Sequence, residues 1–384
     1  MKKKNLFITI SFLSIIYISM LLITMFRNDS VLTYFENRNI KAKPEMSIET
    51  IFNENYFGKL EDYLKDSFKG RNKLVELDTL INKSIIKRPV VNGVYCDKNL
   101  YLARWERWWP YDYKNDLKHM SEAYAKLNDK LKTNGINFIY VGVPEHSYVF
   151  SDKYPDYMLN KHDEWKEIED AFFDELNKNL ILNIKMSTKI KNRDLEYSKT
   201  DHHFSYLGAK NAYDEIIKTI NENTKYKLDS NVELIKGKEE FRGSYARKLF
   251  FLGNLHDDYY TYKENFKYER FDDNIKSDDK LFFQEDNLYR GSMGYGVYMG
   301  GDKSFTEIKT DRNNLPNILV YGDSFTNPIE TLLVRNANNF YSVDFRYKKD
   351  QSLMEIINKY KPDIVVCIRD NLMYLNKDDN GITE

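Results

Sequence analysis

A carboxylate, two imidazoles and a hydroxyl stand in two short strings, Thr200-Asp201-His202-His203-Phe204 and Tyr321-Gly322-Asp323-Ser324-Phe325. These are the groups that acyl transfer through a serine requires at neutral pH. A serine hydroxyl attacks well only when an imidazole takes its proton. A carboxylate then fixes the imidazole tautomer and stabilises the imidazolium. In an extended segment residues i and i+2 point to one side. Asp201 is therefore expected to pair with His203, while His202 points the other way. The reading is Ser324 as nucleophile, His203 as base and Asp201 as its orienter, with His202 in a supporting place. Each string also has a plainer explanation. The second can be an ordinary strand-to-helix turn capped by serine, and the first a polar loop before a helix capped by Ser205. An Asp-His-His cluster can bind zinc, but no third ligand stands at a telling spacing. Neither a metal nor a cofactor is expected.

These groups need elements to position them. Asn317 to Tyr321 is an apolar run of strand type, and a helix is expected from about Pro328. Gly322 lets the backbone turn tightly between them. The free N–H groups of the helix start can stabilise an oxyanion. A strand at Asn339 to Asp344, a helix at Ser352 to Tyr360 and a strand at Asp363 to Ile368 follow. Upstream, the pattern predicts a hairpin from Asn92 to Leu102, a helix over Tyr113 to Thr133 and a strand over Ile136 to Val143. It then predicts a helix over Lys161 to Asn179, a strand at Leu180 to Ile184 and a helix from Ser205 to about Asn221. Alternating strands and helices imply an α/β fold with a parallel sheet flanked by helices. Ligands in such sheets sit at the carboxyl ends of strands, which is where Ser324 falls. Residues 224–310 are less regular.

Met1-Lys2-Lys3-Lys4 precedes an uncharged apolar run from about Leu6 to Phe26. About 21 residues at 1.5 Å each reach roughly 31 Å, enough to cross a bilayer core. The lysines should stay inside and place the rest outside. The run ends in Thr24-Met25-Phe26-Arg27 without the small residues of a cleavage site, which favours an uncleaved anchor over a signal peptide. Residues 30–87 read as helical with a break at Pro44. The expected organisation is thus a membrane anchor over 1–27, a helical stalk over 28–88 and a catalytic domain over 89–384.

Composition narrows the partners. The 384 residues carry a net charge of −1, so no global field recruits nucleic acid. Two cysteines make no disulfide framework, and Cys367, inside an apolar run, is expected to be buried and free. Trp105, Trp108 and Trp109 cluster in one segment that can stack on sugars or form a small core. Glu145 and His146 follow an apolar strand and read as loop polar groups.

These residues and their order resemble the DHHW family, SGNH-hydrolase-like polysaccharide O-acetyltransferases of the alginate-acetylation type. Asp201-His202-His203-Phe204 matches the name-giving motif with Phe204 in place of its Trp, and Gly322-Asp323-Ser324-Phe325 matches the nucleophile block. Glu36-Asn37-Arg38, Asp66-Ser67-Phe68-Lys69-Gly70-Arg71, Tyr298-Met299-Gly300-Gly301 and Asp344-Phe345-Arg346 also look like family features. The Asp-His string precedes the serine string, the reverse of ordinary SGNH esterases. The resemblance implies an SGNH-hydrolase-like fold and a Ser324, His203, Asp201 triad. It implies acetyl transfer to hydroxyls of an extracellular polysaccharide. The acetyl donor would come from a multispanning membrane acyltransferase, and the chain would sit in the cell membrane with its catalytic domain outside. Gly301 and Asn327 are candidates for the oxyanion site. Arg346 is a candidate for binding a sugar or an acetyl carbonyl, with an ion pair to Asp344 as the alternative. An acetyl-esterase and a non-catalytic export scaffold are the competing readings.

Overall fold

The computed structural model describes residues 2–25, 32–36, 38–53, 55–67, 70–103, 113–158 and 162–382. They form two compact units, one of residues 1–96 with 246–253 and one of residues 97–245 with 254–384. A distant segment, 246–253, thus belongs with the first unit. Side-chain contacts explain this. Phe250 stacks on Phe35 with ring centroids 4.1 Å apart, and Asn92 Nδ2 donates to Lys248 O at 2.8 Å.

In the first unit, α1 runs Lys2–Met25. Among the described residues no helix is long and apolar enough to cross a membrane. The side chains of residues 19, 20 and 22–33 lie outside them, so the expected apolar run is described only in part. The helical expectation is not met over 32–36 and 38–47. Leu32–Thr33 instead pairs antiparallel with Arg38–Asn39. Helices α2 (Ile48–Asn53), α3 (Tyr56–Ser67) and α4 (Arg71–Leu80) follow, the last continuing as a π turn to Ile85. Buried Asp66 ties the unit together. Both its oxygens accept from Arg38 at 2.7 Å, and one also accepts from Lys41 N at 3.0 Å. The Arg38 guanidinium holds its carboxyl down at about 2. Val90–Val91 and Val94–Cys96 form a tight hairpin across Asn92-Gly93, whose φ values of +50° and +76° suit a two-residue turn.

The second unit is built on an eight-stranded sheet. Its strands are β1 (Asn137–Val143), β2 (Leu182–Lys185), β3 (Glu269–Asp272), β4 (Ile275–Lys276), β5 (Phe305–Lys309), β6 (Ile318–Gly322), β7 (Asn339–Val343) and β8 (Ile364–Asp370). Their order across the sheet is β4-β3-β5-β7-β6-β8-β1-β2. From β7 to β2 every pairing is parallel, as expected. The irregular stretch supplies what periodicity did not show, an antiparallel extension of β5, β3 and β4 beyond β7. Helices α5 (Tyr113–Thr133), α6 (His162–Lys178), α7 (Tyr206–Asn223), α8 (Thr326–Leu333) and α9 (Leu353–Tyr360) complete the frame. Alternate strand residues Tyr140, Tyr321, Tyr341 and Cys367 bury against α5, α6 and α9 in one core. Cys96 and Cys367 are both free, and Cys367 is buried.

The chain leaves β6 for β7 on one side and returns to β8 on the other. The carboxyl end of β6 is thus a topological switch point, the usual place for a site in an open sheet. Gly322 closes β6 there. A Cβ on it would lie 2.0 Å from Ile368 O of β8. Gly322→Ala is expected to destabilise the fold by about 1–3 kcal/mol through this clash with backbone. Denaturant melts of the two proteins check this.

Candidate functional site

The turn after β6 is held by Asp323. Its carboxylate accepts from Phe325 N at 2.9 Å and from Asp370 N on β8 at 3.0 Å. The first donors of α8 are spent within this turn, Thr326 N on Asp323 O and Asn327 N on Ser324 O. Among the described residues, Ser324 N–H has no partner. Ser324 is partly exposed at the carboxyl end of the sheet.

The string at 200–204 comes to this point from the loop before α7. Ser205 caps that helix, accepting from Leu207 N and Gly208 N. His203 Nε2 lies 2.7 Å from Ser324 Oγ, and His203 Nδ1 lies 2.7 Å from Asp201 Oδ1. Asp201 and His203 are 1% and 3% exposed. The geometry is a continuous relay from carboxylate to imidazole to hydroxyl.

The reason for the pairing differs from the sequence expectation. Residues 201–203 bend rather than extend. Asp201 Oδ1 captures His203 N at 3.1 Å, the local loop that aspartate favours. His202 therefore does not point away. Its Nδ1 lies 3.1 Å from Asp201 Oδ1 and 2.8 Å from Ser244 Oγ, and the two imidazole rings are 3.7 Å apart. The ligand-capable atoms of Asp201, His202 and His203 lie within 4.8 Å of one another. A metal there would compete with Ser324 and Ser244 for the imidazole nitrogens.

The environment sets the charges. Burial pushes His203 below the ordinary imidazole value, and the nearby His202 adds to this against the pull of Asp201. Burial opposes ionisation of Asp201, but the two imidazoles outweigh it and hold the carboxyl well below its usual range. His203 is thus neutral and Asp201 ionised near neutral pH, the states a base and its orienter need.

Packing fixes the imidazole. Tyr295 stacks on His203 at 3.8 Å with rings 8° from parallel, and its hydroxyl donates to Ser324 O at 2.7 Å. Phe325 meets the same ring edge-on at 4.8 Å, and Phe204 packs on Phe325 at 5.1 Å. Phe204 is buried and fills its place in the wall.

A second layer holds Asp201. Asp257 accepts from Ser198 Oγ at 2.6 Å, Thr200 Oγ1 at 2.6 Å and Lys199 N at 2.7 Å, so it clamps the chain just before Asp201. Thr200 Oγ1 in turn accepts from Gly243 N at 3.0 Å, and Ser244 N donates to Asp201 Oδ2 at 2.5 Å. Tyr295, Asp257, Gly243 and Ser244 were not singled out in the sequence. They lie in stretches without periodicity, and their only visible signal is a Gly-Ser pair.

The remaining candidates have other partners. Gly301 N donates to Tyr298 O at 3.0 Å, so it is not free for an oxyanion. Met299, Gly300 and Gly301 have φ of +55°, +77° and +80°, a turn that presents Asp302. Asn327 Nδ2 donates to Asp302 Oδ1 at 2.9 Å and keeps its second hydrogen. Arg346 pairs with Asp344 at 2.6 Å and with Asp302 at 3.1 Å. Glu145 caps a short helix through Ser147 N at 2.7 Å. His146 is buried, lies 2.8 Å from Ser198 O through Nε2, and is pushed down to about 4 by burial. Trp105, Trp108 and Trp109 lie outside the described residues.

Gly243 gives a sharp test of the relay. A Cβ there would lie 2.2 Å from Asp201 Oδ2. Gly243→Ala should move the carboxylate and lower turnover by about 10²-fold, as ångström-scale misplacement of catalytic groups does. Steady-state kinetics beside a circular-dichroism melt separates this from unfolding.

A family model described as "SGNH hydrolase-like domain, acetyltransferase AlgX" matches residues 96–288. The match takes in Asp201 and His203 and stops before Ser324. A search of curated proteins gives no match. Among solved structures, Bacillus cereus PatB1 is similar at 20% identity and TM-score 0.63, over 76% of this chain and 99% of that one. A DHHW family protein from Eubacterium siraeum is similar at 17% identity and TM-score 0.56, over 76% and 95%. The O-acetyltransferase domain of Pseudomonas putida AlgJ aligns at 13% identity and TM-score 0.49, over 76% and 95%. At the identities of the first two the likeness is one of fold.

Proposed function

The chain belongs to the SGNH hydrolase-like acetyltransferase AlgX family, and on that footing we propose that it moves acetyl groups onto hydroxyls of an extracellular polysaccharide through an acetyl-serine. The observation that carries this reading is the 2.7 Å approach of His203 Nε2 to Ser324 Oγ, with Asp201 at 2.7 Å behind it.

His203 Nε2 takes the Ser324 proton as Oγ attacks the acetyl carbonyl of the donor. The carbonyl oxygen becomes an oxyanion, for which the unpartnered Ser324 N–H and the second hydrogen of Asn327 Nδ2 are the available donors. Collapse breaks the bond to the donor's leaving group, which takes the proton from His203. A sugar hydroxyl then enters, gives its proton to His203 and attacks acetyl-Ser324. Collapse of this second tetrahedral species returns the proton to Ser324 Oγ and frees the acetylated sugar. Asp201 keeps its charge throughout and stabilises the imidazolium at each half-step.

Water in place of the sugar makes the same relay an esterase. Supplying the protein with an activated acetyl ester and glycan oligomers, then comparing acetylated oligomer with free acetate, separates the two. Acetyl-oligomer should dominate; acetate alone would sink the transfer reading. Ser324→Ala and His203→Ala should each lower transfer by about 10³-fold or more and abolish the acetyl-enzyme seen by mass spectrometry.

The pH dependence follows from His203. Its proton affinity is lowered, so the base is neutral down to pH values below the ordinary 6.5. Activity (as kcat/KM) should rise with pH through a midpoint below 6.5 and be level above it. A midpoint above 6.5 would contradict the burial argument.

α1 holds the proposed anchor. Its described apolar side chains are largely exposed, among them Phe7, Phe12 and Ile15. Its 24 residues reach about 36 Å. On this reading the catalytic unit lies outside the membrane and receives acetyl groups from a multispanning acyltransferase. A C-terminally tagged chain should fractionate with membranes, keep its lysine-rich start and lose its tag to protease added to intact cells.

A further inference from the structure

An arginine beside a reaction centre is the usual holder of a substrate carboxylate, because its planar fork matches two oxygens. Arg346 stands in such a place, 28% exposed, yet one edge of its guanidinium, Nε and one terminal nitrogen, is already bonded to carboxylates. Asp344 receives Nε at 3.0 Å and a terminal nitrogen at 2.6 Å, and Asp302 receives the same terminal nitrogen at 3.1 Å. Asp302 is not buried with its partner. It is 26% exposed on the turn of positive φ at Met299, Gly300 and Gly301. Its other oxygen accepts from Asn327 Nδ2 at 2.9 Å, and Asn327 N donates to Ser324 O at 3.4 Å. Asp302 thus links the arginine to the first turn after the nucleophile, and its charge is felt at His203. Two carboxylates face one guanidinium, so this cluster carries an excess negative charge.

Resting on the acetyl-transfer reading, we propose that Asp302 is a specificity-determining residue. By occupying Arg346 it makes the approach to Ser324 anionic, and the acceptor is a glycan without carboxylates along its chain, such as an uncharged hexose polymer. A polyuronate would bring repeated like charges to Asp302 and find the Nε edge of Arg346 already bonded to carboxylates. A neutral sugar presents hydroxyls, which carboxylates accept from readily.

The test uses the full chain in detergent with Ser324→Ala, so that binding is read without turnover. The probes are β-1,4-linked glucan and β-1,4-linked glucuronan oligomers of equal length, which differ at the sixth carbon. Calorimetry at low salt should give glucan the tighter binding by about tenfold or more, since like charges suppress wrong partners. The gap should shrink at high salt, where screening shortens the reach of the charge. Asp302→Asn keeps an oxygen for Asn327 and removes the charge. It should bring glucuronan to within about twofold of glucan. Arg346→Gln, which removes the cation instead, should keep the preference for glucan. Equal or tighter binding of glucuronan by the chain with Asp302, a preference unmoved by Asp302→Asn, or no binding of either oligomer overturns the proposal. Acetylation of Ser324 in the unsubstituted chain is measured separately. Its absence would count against the function itself, whereas its presence beside a preference for glucuronan would count against the role of Asp302 alone.

Discussion

Asp201 is an ionised carboxylate with 1% exposure, and much of the second unit is arranged so that it can exist. A buried charge is tolerated only when paired and hydrogen-bonded. Two imidazoles and the backbone N–H groups of His203 and Ser244 supply this. The loop must bend for His203 N to reach the carboxylate, and Gly243 must lack a Cβ for the neighbouring strand of backbone to come close. Asp257 then fixes the three residues before Asp201 through hydroxyl and amide donors. The orientation of His203 follows from these constraints rather than from any preference of its own.

The sheet performs the same service for Ser324. Parallel strands on both sides of β6 leave an opening at its carboxyl end, and the close approach of Gly322 to β8 shapes the turn that fills it. Asp323, next to Ser324 in sequence, takes no part in the relay. Its carboxylate ties the turn to Asp370. Around the mouth, Asp302, Asp344 and Arg346 form a charge cluster whose balance bears on what approaches. Fold stability and selectivity are thus served by neighbouring carboxylates with different tasks.

Much of this was legible in the chain. Helix α5 spans Tyr113–Thr133 as its periodicity predicts, and Ser205 and Ser352 cap α7 and α9 as short polar residues before apolar stretches should. Local signals are strong there because one face of each helix packs on a sheet. The failures lie where local pattern carries no such demand. The paired segments Leu32–Thr33 and Arg38–Asn39 are two residues each, and the antiparallel strands of 269–309 are short with mixed burial, so neither period shows. The match to the AlgX family likewise ends at 288, and Ser324 enters the site on geometry.

The sequence by itself determined the chemical types available, a hydroxyl after an apolar strand and a carboxylate two residues from an imidazole. It also determined the alternation that makes a parallel sheet, because periodic burial is a local property of the chain. Only the tertiary structure decided which imidazole nitrogen meets Ser324, since the parity argument named His203 for a reason the bend at Asp201 does not support. It also decided that Gly301 spends its amide on Tyr298 and that Arg346 is held by Asp302 and Asp344. Those outcomes depend on hydrogen-bond competition between groups far apart in the chain. No local pattern records which donor reaches an acceptor first.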